Sequence, residues 1–152
     1  MTLFAGGLRR LARLLGTSRN PNESLLIEET VSEMQILAIS GSLRSASTNT
    51  TLLNAAALLA PKNMALQIYS GLGDLPHFNP DLDVEPAPLV VAKFRSKLCE
   101  SAGVVISTPE YAHGVPGVLK NALDWLVASG EFYEKPVALF SASPRGTYAR
   151  PL

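Results

Sequence analysis

The chain has 152 residues, of which 47% are hydrophobic and 17% charged, so it can bury the core of one domain and is not globally disordered. Thirteen basic and thirteen acidic residues give a formal charge near zero, which gives no electrostatic reason to expect nucleic acid as a partner. No apolar run approaches the roughly 20 residues that span a bilayer, and the single cysteine, Cys99, excludes an internal disulfide and favours a reducing, cytoplasmic location.

The first 34 residues are predicted to form an extension outside the folded domain, which would cover residues 35–152. Residues 1–22 contain four arginines and no acidic residue, and their leucines could share one helical face. Three interpretations stay open: a flexible or mistranslated leader, an amphipathic helix on a surface or a partner, and an organelle transit peptide. The sequence Asn-Pro-Asn at 20–22 then forms a loop or linker.

Short apolar runs without polar alternation are predicted to be buried strands, and the intervals between them leave room for helices. In chain order, the predicted elements are strand 35–40, helix 50–60, strand 64–69, an ordered loop over 71–88, helix 88–102, strand 103–107, helix 115–129 and strand 136–141. This alternation predicts an α/β fold in which helices cover both faces of a doubly wound parallel sheet. Ligands of such sheets bind beyond the carboxyl ends of the strands, so we expect the site in the loops after Ser40, Ser107 and Ser141.

The loop after the first strand has the composition of a phosphate-binding segment. It reads Gly-Ser-Leu-Arg-Ser-Ala-Ser-Thr-Asn-Thr from residue 41 to residue 50, where a helix begins. A helix N-terminus offers free backbone N–H groups, to which Ser42, Ser47 and Asn49 would add neutral donors. Arg44 would add a charge-assisted one. The loop matches neither the dinucleotide glycine motif nor the ATPase phosphate loop, and the alternative is that its polar residues only cap the helix.

The loop after the third strand suits a planar heteroaromatic ligand. It reads Ser-Thr-Pro-Glu-Tyr-Ala-His-Gly-Val-Pro-Gly over residues 107–117. Proline and glycine at both ends fix the backbone, so that N–H groups can point at a ring edge while Tyr111 offers flat contact. On the following helix, Trp125 is interpreted as a core residue or a subunit contact, and Lys120 and Asp124 as a solvated or interface face.

Two other kinds of site find no support in the sequence. His113 has no metal-ligating partner nearby, and His77 is distant along the chain, so a metal site is not expected. No GxSxG nucleophile elbow occurs, so hydrolase chemistry is not expected either.

Taken together, the two loops resemble the NADPH-dependent FMN reductase family of the flavodoxin-like fold, which includes flavin, quinone, azo-dye and chromate reductases. The resemblance runs from about residue 35 to residue 148. The segments that carry it are Gly-Ser-Leu-Arg at 41–44 with Ser47 and Asn49, residues 71–82, Thr-Pro-Glu-Tyr at 108–111, and Pro-Gly-Val-Leu-Lys-Asn-Ala-Leu-Asp-Trp at 116–125.

The resemblance implies bound FMN and a set of residues that hold it. The FMN phosphate would be bound by Ser42, Arg44, Ser47, Asn49 and Thr50. The flavin ring would be wrapped, mostly by backbone, by Pro109, Glu110, Tyr111 and Ala112. Many relatives carry Asn where Ala112 stands. Near the other edge of the ring would lie Ser141, Ser143 and Arg145.

The resemblance also implies an NAD(P)H oxidoreductase. Hydride from NADPH or NADH would pass to FMN and on to a small-molecule acceptor, such as a quinone, free flavin, azo dye or metal oxyanion. Because the cofactor supplies the chemistry, no single catalytic side chain is expected. Relatives suggest a homodimer or homotetramer, with the helix that carries Asp124 and Trp125 near the contact. No nucleic acid and no membrane is expected as a partner.

The end of the sequence departs from the family pattern. A flavodoxin-like sheet continues past its fourth strand with a helix, a fifth strand and a last helix, whereas only residues 142–152 follow here. We therefore expect the last strand and helices to be lacking, and the fourth strand to form an open sheet edge. Two alternatives to an active reductase stay open: a flavin- or partner-binding module without turnover, and an inactive truncated fragment.

Overall fold

The computed structural model of the chain describes residues 33–142, in which four strands alternate with three α-helices. The strands are β1 (Met34–Ser40), β2 (Met64–Tyr69), β3 (Gly103–Ser107) and β4 (Val137–Phe140). The helices are α1 (Thr48–Leu58), α2 (Leu89–Glu100) and α3 (Gly117–Asp124). Two 3₁₀ turns, Gly71–Asp74 and Pro80–Leu82, lie in the loop between β2 and α2. All but the last two residues of the predicted N-terminal extension lie outside the described part.

All four strands are parallel and follow the order β2-β1-β3-β4. The chain steps outward from β1 to β2 and then crosses back to β3 on the other side of β1. This reversal sets the carboxyl ends of β1 and β3 side by side at the position where open α/β sheets bind ligands. The order and the parallel pairing confirm the predicted α/β, flavodoxin-like sheet.

The main core lies where α2 and α3 pack against β1 and β3. Alternate residues of the strands enter it, as the period of two requires. Its members include Leu37 and Ile39 of β1, Val104 and Ile106 of β3, Phe94 and Leu98 of α2, and Leu119 and Ala122 of α3. Trp125 is fully buried in this cluster, which confirms its interpretation as a core residue. Its side chain therefore has no exposed surface with which to make the alternative subunit contact.

Helix α3 is shorter than the predicted helix 115–129, since it begins at Gly117 and ends at Asp124. Beyond that residue the backbone tightens to i→i−3 bonds, in which Leu126 N–H donates to the Leu123 carbonyl and Val127 N–H to that of Asp124. Gly130 then turns the chain with a φ of 80°. The composition of residues 125–129 gives no signal for this change.

Within residues 33–142, β4 pairs with β3 alone and forms an edge of the sheet, as expected. Two of its apolar side chains are exposed, Val137 at 43% and Leu139 at 73%. No strand follows β4 in the part of the chain that the structure describes. Among the described helices, none is long and apolar enough to span a membrane.

Candidate functional site

The ends of β1, β3 and β4, where the three predicted ligand loops begin, lie side by side at the carboxyl edge of the sheet. Gly41 N–H donates a hydrogen bond of 2.8 Å to the Ser107 carbonyl. Thr108 N–H donates one of 3.3 Å to the carbonyl of Phe140. Both bonds extend the strand pairing by one step, so the three predicted ligand loops leave the sheet as neighbours.

Gly41 is the point at which the first and second loops touch. A Cβ built on Gly41 would lie 2.2 Å from Oγ1 and 2.7 Å from Cβ of Thr108. Real side chains do not tolerate such distances, so the approach of the two loops requires glycine at this position. The sequence motif contains both residues, but their contact depends on β1 and β3 being adjacent and has no local signal.

Buried hydroxyl groups fix the start of α1 against the strand ends. Ser40 Oγ lies 2.8 Å from Thr50 Oγ1, and Ser107 Oγ donates a hydrogen bond of 3.0 Å to Asn49 Oδ1. Ser107 and Asn49 are both buried. The Asn49 side chain therefore has its oxygen engaged inside the protein, which leaves its amide group as the donor for any ligand. The predicted contact of Asn49 and Thr50 with phosphate stays a prediction.

Ser47 is the N-cap of α1. Its backbone is extended, with φ −83° and ψ 123°, and its hydroxyl accepts a hydrogen bond of 3.3 Å from Thr50 N–H. Ser47 therefore caps the helix, and its predicted contact with phosphate stays a prediction. Capping uses one of the free N–H groups of the first turn. The other free N–H groups and the positive end of the helix dipole lie at the carboxyl edge of the sheet, where a ligand can reach them.

Ser42 and Arg44 form the outer part of the first loop. Ser42 is half-buried, and its Oγ accepts a long hydrogen bond of 3.4 Å from Arg44 N–H. The Arg44 side chain is exposed, and none of the described carboxylates forms an ion pair with its guanidinium. An exposed cation three residues before the N-cap of a helix has the chemistry that a phosphate monoester requires.

The second loop contains a tight turn that the sequence did not predict. Tyr111 and Gly114 exchange two backbone hydrogen bonds of 3.0 Å, and the residues between them, Ala112 and His113, have φ angles of 51° and 61°. Positive φ at both central positions is the signature of a type I′ turn, which usually contains Asn or Gly. At Ala112 the left-handed backbone costs about 1–2 kcal/mol. The loop thus holds strain at the segment expected to wrap a flavin ring.

The other predicted ring contacts surround this turn. Tyr111 is 65% exposed, so its aromatic face is accessible, while Pro109 is half-buried. The exposed Glu110 carboxylate lies 3.8 Å from Nδ1 of His113. Among the described residues, no cluster of three or more His, Cys, Asp or Glu side chains could hold a metal ion.

Two further predictions concern the edges of the site. Ser141 is exposed and directly follows Phe140, whose carbonyl pairs with the second loop, whereas Ser143 and Arg145 lie outside the described residues. On α3, Lys120 forms an ion pair with Asp124 on a surface where the two side chains are 62% and 30% exposed. This pair agrees with the solvated-face interpretation.

Comparisons with known proteins place the chain in a family. Residues 34–150 match the family model described as NADPH-dependent FMN reductase. A quinone reductase of Pseudomonas putida is 40% identical over 114 residues, which are 72% of this chain and 60% of the relative. An NAD(P)H-dependent FMN reductase of Pseudomonas aeruginosa is 36% identical over 113 residues, which are 73% of this chain and 60% of the relative.

Among solved structures, the flavoenzyme NAD(P)H:(acceptor) oxidoreductase FerB of Paracoccus denitrificans superposes with a TM-score of 0.67 at 33% identity. The superposition covers 73% of this chain and 62% of that one. The chain thus spans about 60% of the length of the curated relatives named here. Because the family model matches most of the sequence, the chain belongs to the NADPH-dependent FMN reductase family.

Proposed function

We propose that the chain binds FMN at the carboxyl edge of the sheet, with the phosphate at the N-terminus of α1 and the ring at the Tyr111–Gly114 turn. The observation that carries this proposal is the contact between Gly41 and Thr108. It brings a loop with phosphate-binding chemistry next to a rigid turn with an accessible aromatic side chain. A ligand that carries both a phosphate and a planar ring can contact both loops at once only if the two loops are neighbours.

The first loop fits a phosphate by the kinds of donor that it offers. Arg44 supplies a positive charge without a partner among the described carboxylates, and the first turn of α1 supplies backbone N–H groups. Side-chain donors would come from Ser42, Ser47, Asn49 and Thr50. Because Gly41 carries no side chain, the loop backbone can remain close to the second loop.

The second loop fits a flavin ring by its backbone. Two backbone hydrogen bonds hold the Tyr111–Gly114 turn in one conformation in spite of its two left-handed residues, so its remaining polar groups need not be ordered when a ligand binds. Ring contacts are proposed for Pro109, Glu110, Tyr111, Ala112, Ser141 and Ser143. Since Ala112 has no polar side-chain atom, its contact would come from the main chain.

The proposed activity is NAD(P)H-dependent oxidoreduction with a small-molecule electron acceptor. When bound, FMN would supply the capacity to accept hydride from NADPH or NADH and to pass electrons to a quinone, free flavin, azo compound or metal oxyanion. The side chains of this protein would bind and orient that cofactor. Backbone N–H groups of the second loop would stabilise negative charge at the ring edge.

Purified protein tests the proposal in two steps. The first is the absorbance spectrum and the flavin content after incubation with FMN and gel filtration. The second is the oxidation of NADPH or NADH with a benzoquinone as acceptor. Bound FMN and quinone-dependent turnover are expected. Bound FMN without turnover would reduce the function to flavin binding, and a folded protein that takes up no FMN would overturn it.

Assembly and location complete the proposal. As the resemblance to the family suggests, the protein would form a homodimer or homotetramer, which light scattering of the purified protein would test. The single cysteine favours a cytoplasmic protein, which fractionation of the source cells would test.

A further inference from the structure

The side chain of Asn121, on α3, binds the segment between β2 and α2. Asn121 Oδ1 accepts a hydrogen bond of 2.7 Å from Phe78 N–H, and Asn121 Nδ2 donates one of 2.9 Å to the Pro76 carbonyl. The oxygen and the nitrogen of one side-chain amide thus bind backbone groups of residues two positions apart, in the way that a peptide group of a neighbouring strand would. The partners are 43 and 45 residues apart in the sequence, so this is a tertiary contact.

Neighbouring residues strengthen the same attachment. Trp125 Nε1 donates a second hydrogen bond, of 2.8 Å, to the Pro76 carbonyl, so that both lone pairs of this oxygen are used. The rings of Phe78 and Trp125 meet edge to face with centroids 5.1 Å apart. Leu72 and Leu75 are buried in the core. Residues 71–78, which we call the support segment, are therefore fixed in place by buried contacts.

The opposite side of the support segment meets the first loop. A Cβ built on Gly73 would lie 3.2 Å from Cδ2 and 3.3 Å from Cδ1 of Leu43. The Leu43 side chain therefore rests on the bare backbone of Gly73, although 63% of Leu43 is exposed. In the sequence, Leu43 stands between Ser42 and Arg44, the two outermost residues of the proposed phosphate loop.

We propose that the support segment holds the phosphate loop in its binding conformation and that Asn121 is a positioning residue for this purpose. The inference rests on the proposed binding of FMN. Within residues 33–142, the outer part of the first loop makes long hydrogen bonds of 3.4 Å at Ser42 and Arg44, and Leu43 adds an apolar contact with Gly73. A loop that is already ordered loses less conformational entropy when it binds a ligand, and its affinity is higher for that reason.

The test compares two ligands that differ in the phosphate. Dissociation constants of FMN and riboflavin are measured by quenching of flavin fluorescence for the wild type, Asn121→Leu and Asn121→Asp. Ordering one side chain on binding costs up to about 1.5 kcal/mol, so Asn121→Leu is expected to weaken FMN binding by up to about tenfold and riboflavin binding by less than about twofold. Asn121→Asp keeps the acceptor for Phe78 N–H but sets a carboxylate oxygen against the Pro76 carbonyl, so it should also weaken FMN binding more than riboflavin binding. Lys120→Ala, an exposed neighbour on the same helix, is the control and should change neither constant.

Gly73→Ala tests the contact between the support segment and Leu43 without altering Asn121. The added methyl group would displace the exposed Leu43 side chain by a few tenths of an ångström, while the core residues of the support segment stay in place. It should also weaken FMN more than riboflavin, and it keeps the test valid if Asn121→Leu fails to fold.

The outcomes separate this inference from the function on which it rests. If the wild type binds FMN no better than riboflavin, the proposed phosphate site fails, and the inference fails with it. If the wild type prefers FMN and folded Asn121 and Gly73 variants keep that preference undiminished, only the positioning role is overturned. Equal weakening of both flavins would show a general structural role for Asn121 and would overturn the inference in the same way.

Discussion

The Ser107 hydroxyl donates a hydrogen bond of 3.0 Å to Oδ1 of Asn49, and both residues are buried. The bond joins the last residue of β3 to the first turn of α1. Because the first ligand loop ends at α1 and the second begins at the end of β3, the bond ties the phosphate side of the site to the ring side. The site thus depends on an internal polar contact that neither ligand loop contains alone.

Ser107→Ala should lower the free energy of unfolding by about 1–3 kcal/mol, because it leaves the buried Asn49 oxygen without a partner. Denaturation by urea, followed by circular dichroism, measures the change. Ser96→Ala is the matched control, since the Ser96 hydroxyl is exposed and bonds to Glu100 on the same helix. Equal stability of the two variants would show that the buried bond contributes nothing specific.

Gly41→Ala should destabilise the protein by about 1–3 kcal/mol or more through overpacking, because its Cβ would overlap Thr108. Relief of the overlap must separate the two loops, so FMN uptake should fall as well. Gly117→Ala is the control, because a Cβ there meets nothing within 4 Å. Normal FMN binding by a stable Gly41→Ala protein would contradict the close approach of the two loops.

Ala112→Asn should raise the free energy of unfolding by up to about 1 kcal/mol, because asparagine tolerates the left-handed conformation better than alanine. Thermal unfolding at several protein concentrations measures the effect. The same replacement at Ala55, an exposed position within α1, should be destabilising because asparagine is a poorer helix former. Destabilisation at both positions would argue against strain at Ala112.

The pKa of the Tyr69 phenol is raised above its ordinary value, mainly by burial and to a smaller extent by the negative charge of Asp74. In the unfolded chain this phenol loses its proton near pH ~10, while the folded protein still retains it. The unfolded state then binds fewer protons, so stability falls as pH rises above about 10. Tyr69→Phe, which can keep the stacking on Phe94, should show a weaker loss of stability over that range. Parallel pH dependence of the two proteins in urea titrations would be evidence against a raised Tyr69 pKa.

The sequence was sufficient to predict the four strands, the parallel sheet and the three loops that meet at its edge. These features follow from apolar runs and from the rule that ligands bind at the carboxyl ends of strands. The cap at Ser47 was predictable too, because serine before a helical stretch is a local signal.

Other features of the site depend on contacts between distant parts of the chain. Nothing in the local sequence indicates that Asn49 bonds to Ser107, or that Asn121 binds the backbone around Pro76. The left-handed backbone at Ala112 was missed because that turn lacks the usual Asn-Gly signal. In each case tertiary packing selects a conformation that residue preferences alone do not favour.

Titration of Arg44→Ala with FMN and with riboflavin tests the proposed site most directly. A charge-assisted hydrogen bond contributes about 1.5–3 kcal/mol, so loss of Arg44 should weaken FMN by about tenfold or more. Riboflavin has no phosphate, so its affinity should fall by less than about twofold. Lys93→Ala, which removes a charge from the exposed face of α2, should leave both affinities unchanged. Selective loss of FMN is the result that the proposal predicts, and equal weakening of the two flavins would contradict it.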